Sequence, residues 1–186
     1  MQQEVIIAGF GGQGVLFTGQ LLSYAAMDEG KAVTWIPSYG PEMRGGTANC
    51  TVVVSDEEIG SPFVRNPTAV LAMNLPSLEK FEDTVEEGGV LVVNTSMVNR
   101  EVKRNDIRVV SIPANDIAEA LGSKRSVNMV MLGALLGNLD LLPLNAVETA
   151  LEGHLPERHK KFLEANKQSL RKGAEFKAGE AVKASF

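Results

Sequence analysis

The chain has 186 residues, of which 44% are hydrophobic and 22% charged, a composition typical of an ordinary globular domain. Its formal net charge of −5 argues against a nucleic-acid surface, where a basic patch is expected. No apolar run approaches the roughly 20 residues that span a bilayer, and a single cysteine, Cys50, excludes an intrachain disulfide. The amino terminus does not resemble a signal peptide, so we predict one cytoplasmic domain over residues 1–186.

The first part of the chain predicts strands, one long helix and a glycine-rich loop. In order, we predict a strand at 5–8, a helix over about 13–29, a strand at 31–36 ended by Pro37, a loop over 38–46 and a strand within 47–55. The β-branched residues of 51–54 favour that last strand, and the hairpin-like stretch 47–60 is expected to add antiparallel pairing.

The rest of the chain alternates strands with helices. In order, we predict a strand at 69–73, a helix at 76–86, strands at 90–93 and 107–112, a short helix at 115–121 with Asn115 as its N-cap, a buried helix at 127–139 and a charged helical region over 143–176. This alternation predicts an α/β fold: a three-layer sandwich around a mostly parallel sheet, with a Rossmann-like first βαβ unit and a helical carboxyl terminus.

A glycine-rich sequence follows the first predicted strand. Gly9, Gly11 and Gly14 have the spacing G-x-G-x-x-G at a strand-to-helix junction, where helix N–H groups can face an anion. A dinucleotide site also needs an Asp or Glu, or an Arg for NADP, at the end of the second strand, and none is present there. The glycines could also serve only a tight turn. A stand-alone NAD(P)-binding oxidoreductase is therefore kept as the alternative.

A second glycine-rich segment covers residues 38–46. It places Glu42 and Arg44 among several glycines, and the guanidinium of Arg44 is a planar donor suited to a carboxylate or phosphate. Glu42 could instead pair with Arg44, which would make the contact internal and leave no ligand. In either case the glycines imply that another backbone comes close.

Together, residues 9–14 and 38–46 resemble the gamma subunit of the 2-oxoacid:ferredoxin (acceptor) oxidoreductases, and the resemblance continues through 55–59 and 128–134. It implies one subunit of an enzyme that converts a 2-oxo acid and coenzyme A to an acyl-CoA and carbon dioxide, with electrons passing to ferredoxin or another acceptor. This version of the motifs is similar to that of 2-oxoglutarate or branched-chain enzymes, and we predict 2-oxoglutarate.

The resemblance implies that the cofactors reside in other chains. Thiamine diphosphate and iron–sulfur clusters are expected in alpha and beta subunits, with a ferredoxin-like delta subunit as a further candidate partner and coenzyme A as co-substrate. One cysteine cannot ligate a four-cysteine cluster, and Cys50 is predicted to be a small buried group. We therefore expect no catalytic residue, no metal site and no cofactor in this chain alone. Whether the isolated chain forms a homodimer is left open.

We predict that the two glycine segments form one face at the carboxyl edge of the sheet, where ligands of α/β proteins commonly bind. That face would meet a partner subunit and lie near coenzyme A. A binding module that regulates an unrelated partner is a further alternative. The predicted face comprises Gly9, Phe10, Gly11, Gly12, Gln13, Gly14, Ser38, Tyr39, Gly40, Pro41, Glu42, Arg44, Gly45, Gly46 and Asn128.

Overall fold

The computed structural model describes residues 1–39 and 46–179. Its six strands form one sheet in the spatial order β2-β3-β1-β4-β5-β6. The strands β1, β4, β5 and β6 pair in parallel, whereas β3 pairs antiparallel with both β1 and β2. The sheet is therefore mostly parallel. The strands are β1 (Gln2–Phe10), β2 (Ala32–Tyr39), β3 (Thr47–Ser55), β4 (Ala69–Ala72), β5 (Val90–Asn94) and β6 (Arg108–Ile112).

Helices cover both faces of this sheet. Along β1, Val5 and Ile7 face a large core shared with most of the helices, whereas Ile6 and Ala8 face a smaller core that includes Leu78 of α2. Burial on both faces explains why the central parallel strands β4 and β5 contain one polar residue, Asn94, and are otherwise apolar. The predicted three-layer α/β sandwich with a helical carboxyl terminus is confirmed. The helices are α1 (Val15–Asp28), α2 (Leu75–Phe81), α3 (Ala114–Ala120), α4 (Val127–Leu136), α5 (Leu144–His154) and α6 (Leu163–Ala174), with 3-10 turns at Glu82–Thr84 and Glu157–Phe162.

The first βαβ unit departs from a Rossmann unit in one respect. The turn and α1 follow β1 as expected, but β2 does not pair with β1, because β3 lies between them. In this antiparallel arrangement Phe10 is opposite Thr47, and Tyr39 is opposite Ala48. The end of β1, the end of β2 and the start of β3 therefore lie at the same edge of the sheet.

Pro37 does not end the second strand, contrary to the prediction. Strand β2 continues through Pro37 to Tyr39, so the first two residues of the predicted loop 38–46 belong to a strand. Because β2 pairs only with β3 and lies at the edge of the sheet, a residue without an N–H is tolerated there.

The prediction that Asn115 caps the short helix is also wrong. Helix α3 begins one residue earlier, at Ala114, and the proline before it, Pro113, occupies the N-cap position. The Asn115 side chain instead accepts a hydrogen bond at Oδ1 from Nδ2 of Asn94 at 2.9 Å. The asparagine therefore serves a contact between two elements rather than the end of its own helix.

Candidate functional site

The two glycine segments meet at the carboxyl edge of the sheet. The backbone N–H of Gly11 donates to the carbonyl oxygen of Gly46 at 2.9 Å. Ser38 and Tyr39 form the end of β2 at this same edge. The remaining residues predicted for the second segment, Gly40, Pro41, Glu42, Arg44 and Gly45, lie outside the described residues.

Three glycines shape the first turn, here called the glycine turn (residues 9–14). Gly12 and Gly14 have φ of 98° and 79°, in the left-handed region that side chains disfavour. A Cβ on Gly14 would lie 2.6 Å from Nδ2 of Asn128, and a Cβ on Gly9 would lie 2.7 Å from Oε1 of Gln13. The turn therefore needs glycine at position 14 for two independent reasons, conformation and space.

Gln13 closes the glycine turn from within. Its Oε1 accepts a hydrogen bond from the backbone N–H of Phe10 at 2.6 Å and another from Nδ2 of Asn74 at 3.1 Å. A sequence-based expectation for Gln13 is a hydrogen bond across a subunit interface. In the structure Oε1 of Gln13 bonds within the chain, to the N–H of Phe10 and to Asn74, the residue after Met73, and a hydrogen bond from Gln13 to a partner subunit stays a prediction.

Asn128 approaches the turn from α4. Its Nδ2 donates to Oγ1 of Thr18 at 3.1 Å, and that hydroxyl donates to the carbonyl oxygen of Gly14 at 2.9 Å. Asn128 is buried. The structure thus brings Asn128 together with the first glycine segment, although the two are more than 100 residues apart in sequence.

Two buried asparagines at this edge, Asn74 and Asn94, are missing from the residues predicted from sequence. Asn74 caps α2, because its Oδ1 accepts the backbone N–H of Ser77 at 3.0 Å. Asn94 ends β5, and its Oδ1 accepts the backbone N–H groups of Ser96 and Ala114. The one signal for them in the sequence is an asparagine directly after an apolar strand, where a side-chain oxygen can cap the next segment.

A small cleft lies beside the glycine turn. Its volume is about 300 Å³, and its walls are mostly apolar. Helix α1 starts here with Gly14 at its N-cap and no capping side chain, so the N–H groups of its first turn face this region without side-chain partners. The cleft is lined by Phe10, Gly11, Gly12, Gly14, Val15, Leu16, Phe17, Gly46, Thr47 and Ala48.

Cys50 lies behind the turn, in the large core. Its thiol donates to the carbonyl oxygen of Val15 at 3.6 Å, and a Cβ on Gly19 would lie 2.4 Å from its Sγ. Burial raises the pKa of the Cys50 thiol to about 11. A buried, protonated and solitary thiol does not fit an iron–sulfur cluster, which needs several thiolates.

The described part of the chain offers no ready metal site. Across residues 1–39 and 46–179, no three or more His, Cys, Asp and Glu side chains are grouped so that they could hold a metal ion. Within the same ranges, every helix is too short or too polar to cross a bilayer.

A family model described as pyruvate ferredoxin/flavodoxin oxidoreductase matches residues 4–176. The chain belongs to this family. The match includes the glycine turn, β3 and Asn128, and so covers the residues on which the resemblance was based. The resemblance to gamma subunits is confirmed by a solved relative: the keto/oxoacid ferredoxin oxidoreductase gamma subunit from Geobacter sulfurreducens has a TM-score of 0.79 and 28% identity, over 93% of this chain and 96% of that one.

Two sequence relatives differ in length and in the 2-oxo acid that appears in their names. The ketoisovalerate oxidoreductase subunit VorA of Methanothermobacter marburgensis is 46% identical over 133 residues, which are 72% of this chain and 28% of VorA. The 2-oxoglutarate synthase subunit KorC of Methanothermobacter thermautotrophicus is 33% identical over 185 residues, which are 94% of this chain and 98% of KorC. The chain thus spans about a third of the VorA relatives and nearly all of this KorC.

Proposed function

We propose that this chain is the gamma component of a multi-subunit 2-oxoacid:ferredoxin oxidoreductase, which oxidatively decarboxylates a 2-oxo acid and transfers the acyl group to coenzyme A. The observation that supports the proposal is the hydrogen bond between Gly11 and Gly46, which brings the last residue of the second family motif against the first motif. The chain contributes a binding face rather than catalytic groups. Alpha and beta subunits are its proposed partners, with a ferredoxin-like delta subunit as a further candidate.

The chemistry of the face supports contact with another chain or with coenzyme A. The first turn of α1 has no capping side chain, and such N–H groups favour a carbonyl oxygen or an anion such as a phosphate. Arg44, which lies outside the described residues, is proposed from the sequence to supply a positive charge to the same ligand. The iron–sulfur clusters are assigned to the partner subunits, because the solitary Cys50 is buried and a cluster needs several thiolates. Thiamine diphosphate is assigned there on the family resemblance.

Two substrates are candidates. The motif version at residues 9–14 and 38–46 favours 2-oxoglutarate, and KorC aligns over nearly its whole length. A branched-chain 2-oxo acid is the second candidate, because the identity to VorA reaches 46% over the matched part. We propose 2-oxoglutarate first.

Purification under anaerobic conditions tests the proposal. The tagged full chain should recover thiamine-dependent and iron–sulfur chains from native extract, and the recovered complex should oxidise a 2-oxo acid only when coenzyme A is present. Assays with 2-oxoglutarate, ketoisovalerate and pyruvate as separate substrates decide between the candidates. Recovery of no such chains would defeat the proposal, and micromolar binding of NAD(P) by the purified chain would favour the stand-alone alternative.

A further inference from the structure

Four side-chain amides join the carboxyl ends of β1, β4, β5 and β6. Asn74 donates from Nδ2 to Oε1 of Gln13 at 3.1 Å. Asn94 donates from Nδ2 to the carbonyl oxygen of Met73 at 3.2 Å and to Oδ1 of Asn115 at 2.9 Å. We call Gln13, Asn74, Asn94 and Asn115 the amide chain. Asn74 and Asn94 are 1% and 0% exposed, so water cannot replace a lost partner without cost.

Backbone N–H groups determine which way the amides of Asn74 and Gln13 point. A backbone N–H can only donate, so the N–H of Ser77 selects Oδ1 of Asn74 and leaves Nδ2 facing Gln13. The N–H of Phe10 likewise selects Oε1 of Gln13. The donor of Asn74 and the acceptor of Gln13 therefore meet in the one orientation that satisfies both backbone groups. A reversed amide at either residue would place two donors or two acceptors together.

We propose that Asn74 is a positioning residue for the glycine turn. Its oxygen caps α2, and its amide nitrogen holds Gln13, which in turn holds the N–H of Phe10 at the start of the turn. The turn is thus attached to the carboxyl end of β4 as well as to β1. This inference rests on the proposed function, because the attached turn presents the uncapped N–H groups of α1 to coenzyme A.

Substitutions of Asn74 can separate the cap from the positioning contact. In Asn74→Ser the hydroxyl retains an oxygen for the N–H of Ser77, and serine is a good N-cap, but no amide remains for Gln13. Asn74→Asp retains the cap in an isosteric side chain and places a carboxylate against Oε1 of Gln13. The serine variant keeps the test decisive if the buried charge of the aspartate variant prevents folding.

Hydrogen exchange on the full chain is the first measurement. In Asn74→Ser we expect exchange of the Phe10 amide to rise about tenfold, the effect of losing a buried hydrogen bond, while the α2 amides stay protected. In the assembled enzyme we expect the KM for coenzyme A to rise with kcat within about twofold, the pattern of lost binding rather than lost chemistry. Unchanged Phe10 exchange, or equal loss of protection in α2, overturns the proposal.

A second Asn→Asp variant is the control for the added charge. Asn105→Asp adds the same negative charge as Asn74→Asp, but at an exposed asparagine near the opposite edge of the sheet. It should leave Phe10 exchange and the KM for coenzyme A unchanged. If the wild-type complex has no coenzyme A-dependent activity, the proposed function is defeated, but the role of Asn74 is not. Phe10 exchange would still decide whether Asn74 positions the glycine turn. If Asn74→Ser raises Phe10 exchange but leaves the KM for coenzyme A unchanged in an active enzyme, the link between the position of the glycine turn and coenzyme A binding is overturned.

Discussion

Gly133 of α4 and Gly173 of α6 face each other so closely that a Cβ on either would lie 1.9 Å from a carbonyl oxygen of the opposite helix. The oxygens concerned belong to Leu170 and Val130. Helix α4 is buried along almost its whole length, and it carries Asn128 at its amino end. The close contact with α6 therefore supports the helix that reaches the glycine turn.

We expect Gly133→Ala to lower the free energy of unfolding by about 3 kcal/mol, because backbone cannot move aside as a side chain can. Urea denaturation of the full chain measures the loss. Gly153→Ala is the matched control: Gly153 lies in α5, a Cβ there would have no neighbour within 4 Å, and alanine should be neutral or stabilising by up to about 1 kcal/mol. Equal midpoints for the two variants would contradict the close contact.

Gly14→Ala should destabilise the chain more than Gly12→Ala. Both glycines have positive φ, which costs alanine about 1 kcal/mol, but only the Cβ at position 14 meets Asn128. In an Asn128→Ala background, the penalty of Gly14→Ala should fall to that of Gly12→Ala. A thermal-unfolding double-mutant cycle measures this coupling, and strictly additive effects would show that the contact with Asn128 is immaterial.

Glu82 should make the stability of the chain dependent on acid. Burial raises the pKa of its carboxyl, but hydrogen bonds from Arg100, at 2.6 Å, and from the N–H of Lys103 outweigh burial and place the pKa below its usual value. This stabilisation is fully present above the unfolded-state pKa of about 4.3 and is lost as pH falls through the lower folded-state value.

Glu82→Gln should therefore cost about 2 kcal/mol near pH 7, and less as the pH falls below about 4. Urea titrations between these pH values measure the difference. Glu87→Gln removes the same charge from an exposed residue nearby and should change stability by less than about 0.5 kcal/mol. A constant difference between wild type and Glu82→Gln at all pH values would contradict the assignment.

Cys50 should be inert in the folded chain. Because burial raises the pKa of its thiol to about 11, almost none is thiolate at pH 8, and access is also blocked. We expect a disulfide reagent to react at least about 100-fold faster in denaturing urea than in buffer. Exposed Ser61→Cys supplies a reactive reference in the same fold. Rapid labelling of native Cys50 would show that this part of the core opens readily.

Arg44→Ala should weaken assembly or raise the KM for coenzyme A while changing the free energy of unfolding by under about 0.5 kcal/mol, because the sequence-based hypothesis assigns Arg44 to binding and not to the core. Co-purification and steady-state kinetics measure the first effect, and thermal unfolding measures the second. Unfolding of the variant would make Arg44 structural and defeat its assignment to the face.

Local sequence patterns predicted the elements because burial in this fold follows the apolar runs. Strand β4 is apolar throughout, β5 is apolar except for Asn94, and both are buried on both faces, while α4 is apolar on all sides except at Asn128. The prediction that Pro37 ends the second strand is wrong because the effect of a proline on a strand depends on whether that strand is central or at an edge of the sheet. That position is a property of the whole sheet and is absent from the local sequence.

The site was predictable only in part for the same reason. Glycine spacing located the turn, since a left-handed backbone restricts the residue type. The contact between Gln13 and Asn74 spans 61 residues and exists because β4 pairs with β1 in register. Similarly, the stretch 47–60 is predicted to be hairpin-like and to add antiparallel pairing. Strand β3 does pair antiparallel, but with the distant strands β1 and β2 rather than within 47–60.

The amide chain contains only carboxamide groups, which neither gain nor lose protons in the physiological range. The attachment of the glycine turn to the sheet should consequently be indifferent to acidity, even where Glu82 protonates and the chain as a whole weakens. If an assembled enzyme responds to acidity at this edge, the proton must be exchanged by groups other than these four amides.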